Sequence, residues 1–274
     1  ITENMYEMFL KLEFLHDQWR EIYQLCDELS LTFITTSHTR KAFKLVNSLN
    51  PEIHKICSWS LSHRRLIEDI GSTKIPMIID TGPCDENMLL TLNNWYQNKG
   101  GEQLIVLHDF HTKDISQMNF GSIPRLKEIF QSPVGFTPQG REKLFDTFAL
   151  GLGADILEMR LTTNSFIHGN GHYKSLEPDE FRDWVLKIRK LEKAFGQSNY
   201  IPSTEDDVRD TKFWFKSLFA CKEILKGDML TGDNVYEKRP GDGISASLIY
   251  DYLGKTVNKN ISIGHKFVEE DFNQ

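Results

Sequence analysis

A parallel α/β architecture is predicted by two observations: six short apolar runs, and an amphipathic helical stretch between one run and the next. The runs are Leu31 to Thr36, Ile53 to Cys57, Pro76 to Asp80, Leu104 to His108, Val134 to Thr137 and Ile156 to Met159. Helical spacing sets Trp19, Ile22, Tyr23 and Cys26 on one face, then Leu66, Ile67 and Ile70, and later Leu144, Phe148 and Leu152. The clearest helix runs from Pro178 to Phe195: Pro178 suits its first turn, Phe181, Trp184, Val185, Ile188 and Leu191 form its stripe, and Gly196 is its stop. The i, i+3, i+4, i+7 spacing makes Trp184 a packing residue rather than a cofactor platform.

The chain has 274 residues, 39% hydrophobic and 26% charged, with a net charge of -7, enough for one large domain and a small one. The acidic balance, with basic residues no denser than pairs such as Arg64-Arg65, argues against nucleic acid as a partner; an anionic ligand needs a local cluster of donors. No apolar stretch reaches membrane-spanning length and no signal-peptide pattern opens the chain, so a cytoplasmic protein without membrane contact is expected. Cys26, Cys57, Cys84 and Cys221 are scattered, which argues against a disulfide framework or a thiolate zinc site. The chain opens on Ile1 rather than Met, which leaves open whether native residues precede it.

Beyond Gly196 the pattern changes. Residues 197–212 are polar, contain Pro202 and Glu205-Asp206-Asp207, and read as a linker. Phe213 to Ala220, Lys222 to Ile224 and Val235 to Lys238 are short β-like runs broken by Gly and Asp, predicting a small β-rich domain over 213–274. Within it, Pro240, Gly241 and Gly243 place Arg239 on a preset turn, where its planar guanidinium can meet an anion or a polyol. An ordinary surface turn is the alternative. His108, His111, His168 and His172 lack the fixed spacing of a ligand set and read as structural or loop histidines. Gly169 to Gly171 form a glycine-rich loop without the register of a dinucleotide or phosphate-loop motif.

The run from Phe219 to Asn234, followed by Glu237-Lys-Arg-Pro-Gly-Asp-Gly-Ile-Ser245 and Leu253-Gly-Lys255, resembles the antifreeze-like, β-clip (SAF) domain of the N-acetylneuraminate (sialic acid) synthase family. In the same order as that family's barrel landmarks stand Lys55-Ile-Cys-Ser58, Ile78-Ile-Asp-Thr-Gly82, Leu107-His108, Val134-Gly-Phe136, Ala149 to Glu158 and Ser175 to Phe181. The resemblance implies a (β/α)8 TIM-type barrel over 1–196, without counterparts of its first two strands, plus the antifreeze-like domain. It implies an enzyme, a transferase condensing phosphoenolpyruvate with an N-acyl-mannosamine-type sugar into a nonulosonic acid and phosphate. It further implies a domain-swapped homodimer, small-molecule substrates and a divalent metal, Mn or Mg, held by two histidines.

Carried over residue by residue, Lys55 and Ser58 match the family's phosphoenolpyruvate contacts, Thr36 matches the threonine closing the preceding strand, and Thr137 stands for a serine. Arg239 matches an arginine that reaches over the sugar. The departures are several: Gln139 and Arg160 stand where the two metal histidines are expected, and Asp80 replaces a serine near the expected anion. His111 and Lys113 replace small polar or aromatic residues, and Gly171 an acidic one. Two readings follow. Arg160 supplies fixed positive charge in a divergent synthase, or the chemistry has decayed and the fold persists as a carbohydrate-binding or scaffold protein.

Overall fold

Five parallel strands, in the order β1-β2-β3-β4-β5, organise the larger of two units, Ile1–Phe195. The computed structural model describes residues 4–110, 114–138, 140–169, 171–196 and 204–272. Helices α1 (Met5–Leu12), α2 (His16–Glu28) and α3 (Arg40–Asn47) precede β1 (His54–Ile56). There follow α4 (Arg64–Gly71), β2 (Met77–Asp80), α5 (Glu86–Gln97), β3 (Leu104–Asp109), α6 (Ser122–Phe130), β4 (Val134–Thr137), α7 (Lys143–Gly151), β5 (Ile156–Leu157) and α8 (Pro178–Phe195). Local signals start several helices: the Thr39 hydroxyl accepts from Ala42 N at 3.1 Å, and the Asp85 carboxylate from Met88 N at 2.8 Å.

Strand order that follows chain order is the single winding of a barrel; in a doubly wound sheet the order reverses at a switch point. The two faces of the sheet differ accordingly. Ile56, Met77, Ile79, Val106, Val134 and Phe136 pack against Leu66, Ile67 and Ile70 of α4, Leu89 and Leu92 of α5, and Ile123 and Leu126 of α6. Burying each such aliphatic side chain contributes roughly 1.5–3 kcal/mol, so this outer layer holds strands to helices. On the other face Ile78, Ile105 and Leu107 form a smaller cluster with Ile53 and Ile156.

Gly135 belongs to this inner face, and a Cβ there meets Leu107 Cδ2 at 2.3 Å and the Ile156 carbonyl oxygen at 2.7 Å. The missing side chain is what lets Leu107 lie across β4.

The sequence reading needs correction in four places. Leu31 to Thr36 is not a strand: Phe33 is held edge-on by Trp19 and Tyr23 of α2, at ring distances of 6.3 and 5.6 Å, and Thr36 alone pairs, with Lys55. A run needs a partner over several residues to form a ladder, so six expected strands become five. On α7, Leu144 and Phe148 are 66% and 53% exposed, while Asp146 and Ala149 are buried. Asp146 turns inward because the Trp184 indole donates to it at 2.8 Å, and burial, only partly opposed by that bond, raises its carboxyl to about 6. Of the α8 stripe only Trp184 is fully buried.

The fourth correction concerns the second unit, Gly196–Gln274. Within the polar stretch read as a linker, Thr204 caps a helix, α9 (Glu205–Trp214), which also absorbs Phe213 and Trp214 from the expected β-run. Then β6 (Ser217–Ala220) pairs antiparallel with β7 (Val235–Lys238), and α10 (Ile249–Tyr252) follows. Ile224 makes a single bridge to Ile261 rather than a strand. Leu218, Ile224, Val257, Ile261 and Phe267 centre its core.

Gly135→Ala is expected to lower stability by ~1–3 kcal/mol in urea unfolding, because a backbone oxygen has no room to retreat. An unchanged unfolding midpoint would show that Leu107 and β5 give way freely.

Candidate active site

Alternation along the strands places Lys55, Asp80, Thr137 and Glu158 on the inner face, toward the carboxyl ends of β1, β2, β4 and β5, above the apolar layer. Thr36 pairs with Lys55, so the two share that face, and Ser37 N donates to the Lys55 carbonyl at 2.9 Å. Glu158 extends β5, its amide donating to the Phe136 carbonyl at 3.0 Å. In barrel enzymes this end of the strands carries the chemistry.

The centre is an ion cluster. The Lys55 ammonium binds the Glu158 carboxylate and lies 3.5 Å from Asp80 Oδ1. The Lys55 and Asp80 side chains are only 11% and 10% exposed, against 38% for Glu158. Thr137 Oγ1 lies 3.4 Å from the same Asp80 oxygen. Burial pushes the Asp80 carboxyl up to about 6; Lys55 pulls it down, while the charges of Glu158 and Asp109 push it further up. Asp109, the last residue of β3, is fixed through its backbone: Thr81 Oγ1 accepts from its amide at 3.1 Å and donates to its carbonyl at 3.3 Å.

Ser58 opens a short 3-10 helix directly after β1 and is buried. It packs against the turn after β2, where Gly82 has φ +49° and an added Cβ stands 2.3 Å from Ser58 Cβ. Only glycine serves at 82, since both the dihedral and the space exclude a side chain.

Of the predicted site residues, the structure brings together Lys55, Asp80 and Thr137, with Thr36 and Ser58 beside β1. Arg160 follows Glu158 by two residues, its carbonyl accepting from Leu176 N at 2.9 Å. His111 and Gln139 lie outside the described residues. Arg239 belongs to the second unit: its Nε donates to the Trp214 carbonyl at 2.9 Å and its guanidinium lies over the Trp214 ring, 5.0 Å from the centroid. The preset turn is thus supplemented by α9, which the sequence reading did not foresee.

The sequence reading passed over Glu158 and Asp109. Period-two alternation exposes the first, since Ile156 and Glu158 share a face; the second needed β3 extended by one residue beyond His108. His108 itself points to the helix side, with Nε2 2.7 Å from the Met118 carbonyl and its ring stacked on Phe136. Burial lowers the pKa of His108, and burial alone lowers that of His54 to about 4; both are structural. His172 Nδ1 lies 2.8 Å from Thr162 Oγ1.

A parallel, singly wound sheet with a charged cluster at the carboxyl ends of its strands defines an enzyme of the TIM-barrel type. The structure superposes on a spore coat polysaccharide biosynthesis protein E from Chromobacterium violaceum with a TM-score of 0.80, covering 98% of this chain and 81% of that one at 17% identity, which shows the fold alone. The chain belongs to the NeuB family, whose model matches residues 1–200. It is 30% identical over 260 residues to an uncharacterized protein of Methanocaldococcus jannaschii, covering 93% of this chain and 75% of that protein. It is 26% identical over 269 residues to the N,N'-diacetyllegionaminic acid synthase of Legionella pneumophila, covering 96% and 75%.

Lys55→Met leaves Asp80 and Glu158 without their cation, so the Asp80 carboxyl titrates still higher. A carboxyl raised by folding contributes stability that is present below its unfolded value and lost as pH rises through the folded one. The variant is expected to lose ~3 kcal/mol at pH 8 and distinctly less at pH 5 in urea unfolding. Equal losses at both pH values would dismiss the coupling.

Proposed function

We propose that this protein is a nonulosonic acid synthase that joins phosphoenolpyruvate to an N-acyl-mannosamine-type sugar, forming a carbon-carbon bond and releasing phosphate. One observation carries the reading: a buried lysine, Lys55, stands at a strand carboxyl end with the hydroxyl residues Thr36, Ser58 and Thr137 near it, on the scaffold of a family that includes such synthases. A small dianion leaving water needs charge-assisted hydrogen bonds, and an ammonium with hydroxyls supplies them.

In this reading Lys55 and the hydroxyls hold the phosphate and carboxylate while the enol carbon meets the sugar aldehyde. The family's two-histidine metal does not fit the residues present. Arg160 offers a cation where a ligand is needed, and among the described residues no three His, Cys, Asp or Glu side chains are grouped as a metal ion requires. No step is therefore routed through a metal; Arg160 would supply fixed positive charge. Arg239 would reach the sugar from a second copy of the chain, in a domain-swapped homodimer.

The same Arg160 favours a second reading, a sugar-binding protein without turnover. Phosphate release from phosphoenolpyruvate with N-acetylmannosamine and related N-acyl sugars separates the two: release supports the synthase, whereas sugar binding without release supports the binding protein. Within the synthase reading, Lys55→Ala and Arg239→Ala are each expected to lower kcat/KM at least ~100-fold. If Arg239 acts in trans, mixing the two inactive variants restores about a quarter of wild-type activity, since half the dimers are mixed and each has one intact site. No restoration would place Arg239 in the same copy as Lys55 or outside the site.

A further inference from the structure

Two features of the ion cluster conflict with the binding of an anion. One ammonium, Lys55, is paired with both Asp80 and Glu158, and the charges of Glu158 and Asp109 both bear on Asp80. In addition, Asp80 Oδ1 lies 3.5 Å from Lys55 Nζ and 3.4 Å from Thr137 Oγ1, the two donors that an incoming phosphate or carboxylate would use. An ionised Asp80 is thus a built-in competitor for the substrate's own contacts. Its protonation removes a negative charge and turns an acceptor into a hydrogen-bond donor, so that one proton converts an anion-repelling site into an anion-holding one.

Resting on the synthase reading, we propose that Asp80 is the proton acceptor of the anion site: phosphoenolpyruvate binds beside Lys55 as Asp80 takes up one proton from the solvent. The balance is simple, a carboxylate and a solvent proton giving a carboxylic acid, with no bond made to the ligand. Asp80 is the carboxylate placed to do this. Glu158 is more exposed and already bound to Lys55, and the Asp109 backbone is fixed to Thr81 on the neighbouring strand.

Among the described residues, the charged and titratable groups facing Asp80 are Lys55 from β1, Asp109 from β3 and Glu158 at the end of β5, with the neutral Thr137 from β4. His108, on the opposite face of β3, is bonded to the Met118 carbonyl and takes no part. Burial and the two carboxylates already hold Asp80 at about 6, so it is mainly ionised at pH 8 and a bound anion raises it further.

Calorimetric titration of the full chain with phosphoenolpyruvate, at pH 8 in two buffers of different ionisation enthalpy, tests this. The phosphate's second pKa is about 6, so the ligand itself brings no proton at that pH. Wild-type protein is expected to take up close to one proton per ligand, with Kd weakening up to ~10-fold per pH unit between 7.5 and 8.5. Asp80→Asn is expected to bind with no uptake and a flat Kd across the same range. Binding by the wild type without proton uptake, or uptake that persists in Asp80→Asn, overturns the proposal and leaves the synthase reading standing. If the wild type fails to bind phosphoenolpyruvate, or if binding survives Lys55→Ala undiminished, the reading of the site falls and the proposal with it.

Discussion

Lys55 is a cation held almost out of water, and the rest of the larger unit is arranged around that constraint. A buried ammonium is tolerated only when paired and hydrogen-bonded, and the pairing here is crowded, with Asp80 and Glu158 both reaching it. Such pairing is weak support for stability, since the desolvation of Lys55 and Asp80 offsets much of the attraction. Its place on a sheet face otherwise filled by Ile78, Ile105 and Leu107 is the kind of costly buried charge that clusters at functional sites, which is what the proposed function rests on. The apolar layer beneath sets the depth of the site, and Gly135 and Gly82 remove the two side chains that would crowd it.

Much of this was legible in the sequence because apolar runs alternate in it with helical periodicity. Short apolar runs identified all five strands among six candidates, and the 3.6-residue period located α4, whose Leu66, Ile67 and Ile70 are fully buried. Order along the chain, rather than any single motif, carried the family resemblance and with it Thr36, Lys55, Ser58 and Thr137. What remained hidden was decided by tertiary contacts. The run at Leu31 is apolar because Phe33 packs on α2, not because it joins a ladder. Asp146 faces inward only because Trp184 donates to it from thirty-eight residues away, a pairing no local pattern reveals. Glu158 lay in plain view within a landmark, yet its role depends on Lys55, 103 residues earlier.

Departures from the family pattern are concentrated where charge is handled. In the proposed reading, Arg160 and Gln139 stand where the resemblance expects histidines and Asp80 where it expects a serine, so the fixed charge of Arg160 would take the place of a metal's while a carboxylate enters. These changes act in opposite electrostatic directions. A guanidinium is permanently charged, whereas a buried carboxyl is conditional, and in that reading the two would make the field of the site depend on protons rather than on ion occupancy.

The packing of Arg239 on Trp214 also has a kinetic meaning. A long side chain ordinarily gives up rotamer freedom when it captures a ligand, and that loss weakens capture. With Nε bound to the Trp214 carbonyl and the plane resting on the indole, most of that freedom is surrendered at folding. In the synthase reading the arm is thereby stiffened before any encounter, and a lysine at 239, without the plane or the Nε donor, would have to be immobilised anew at every turnover.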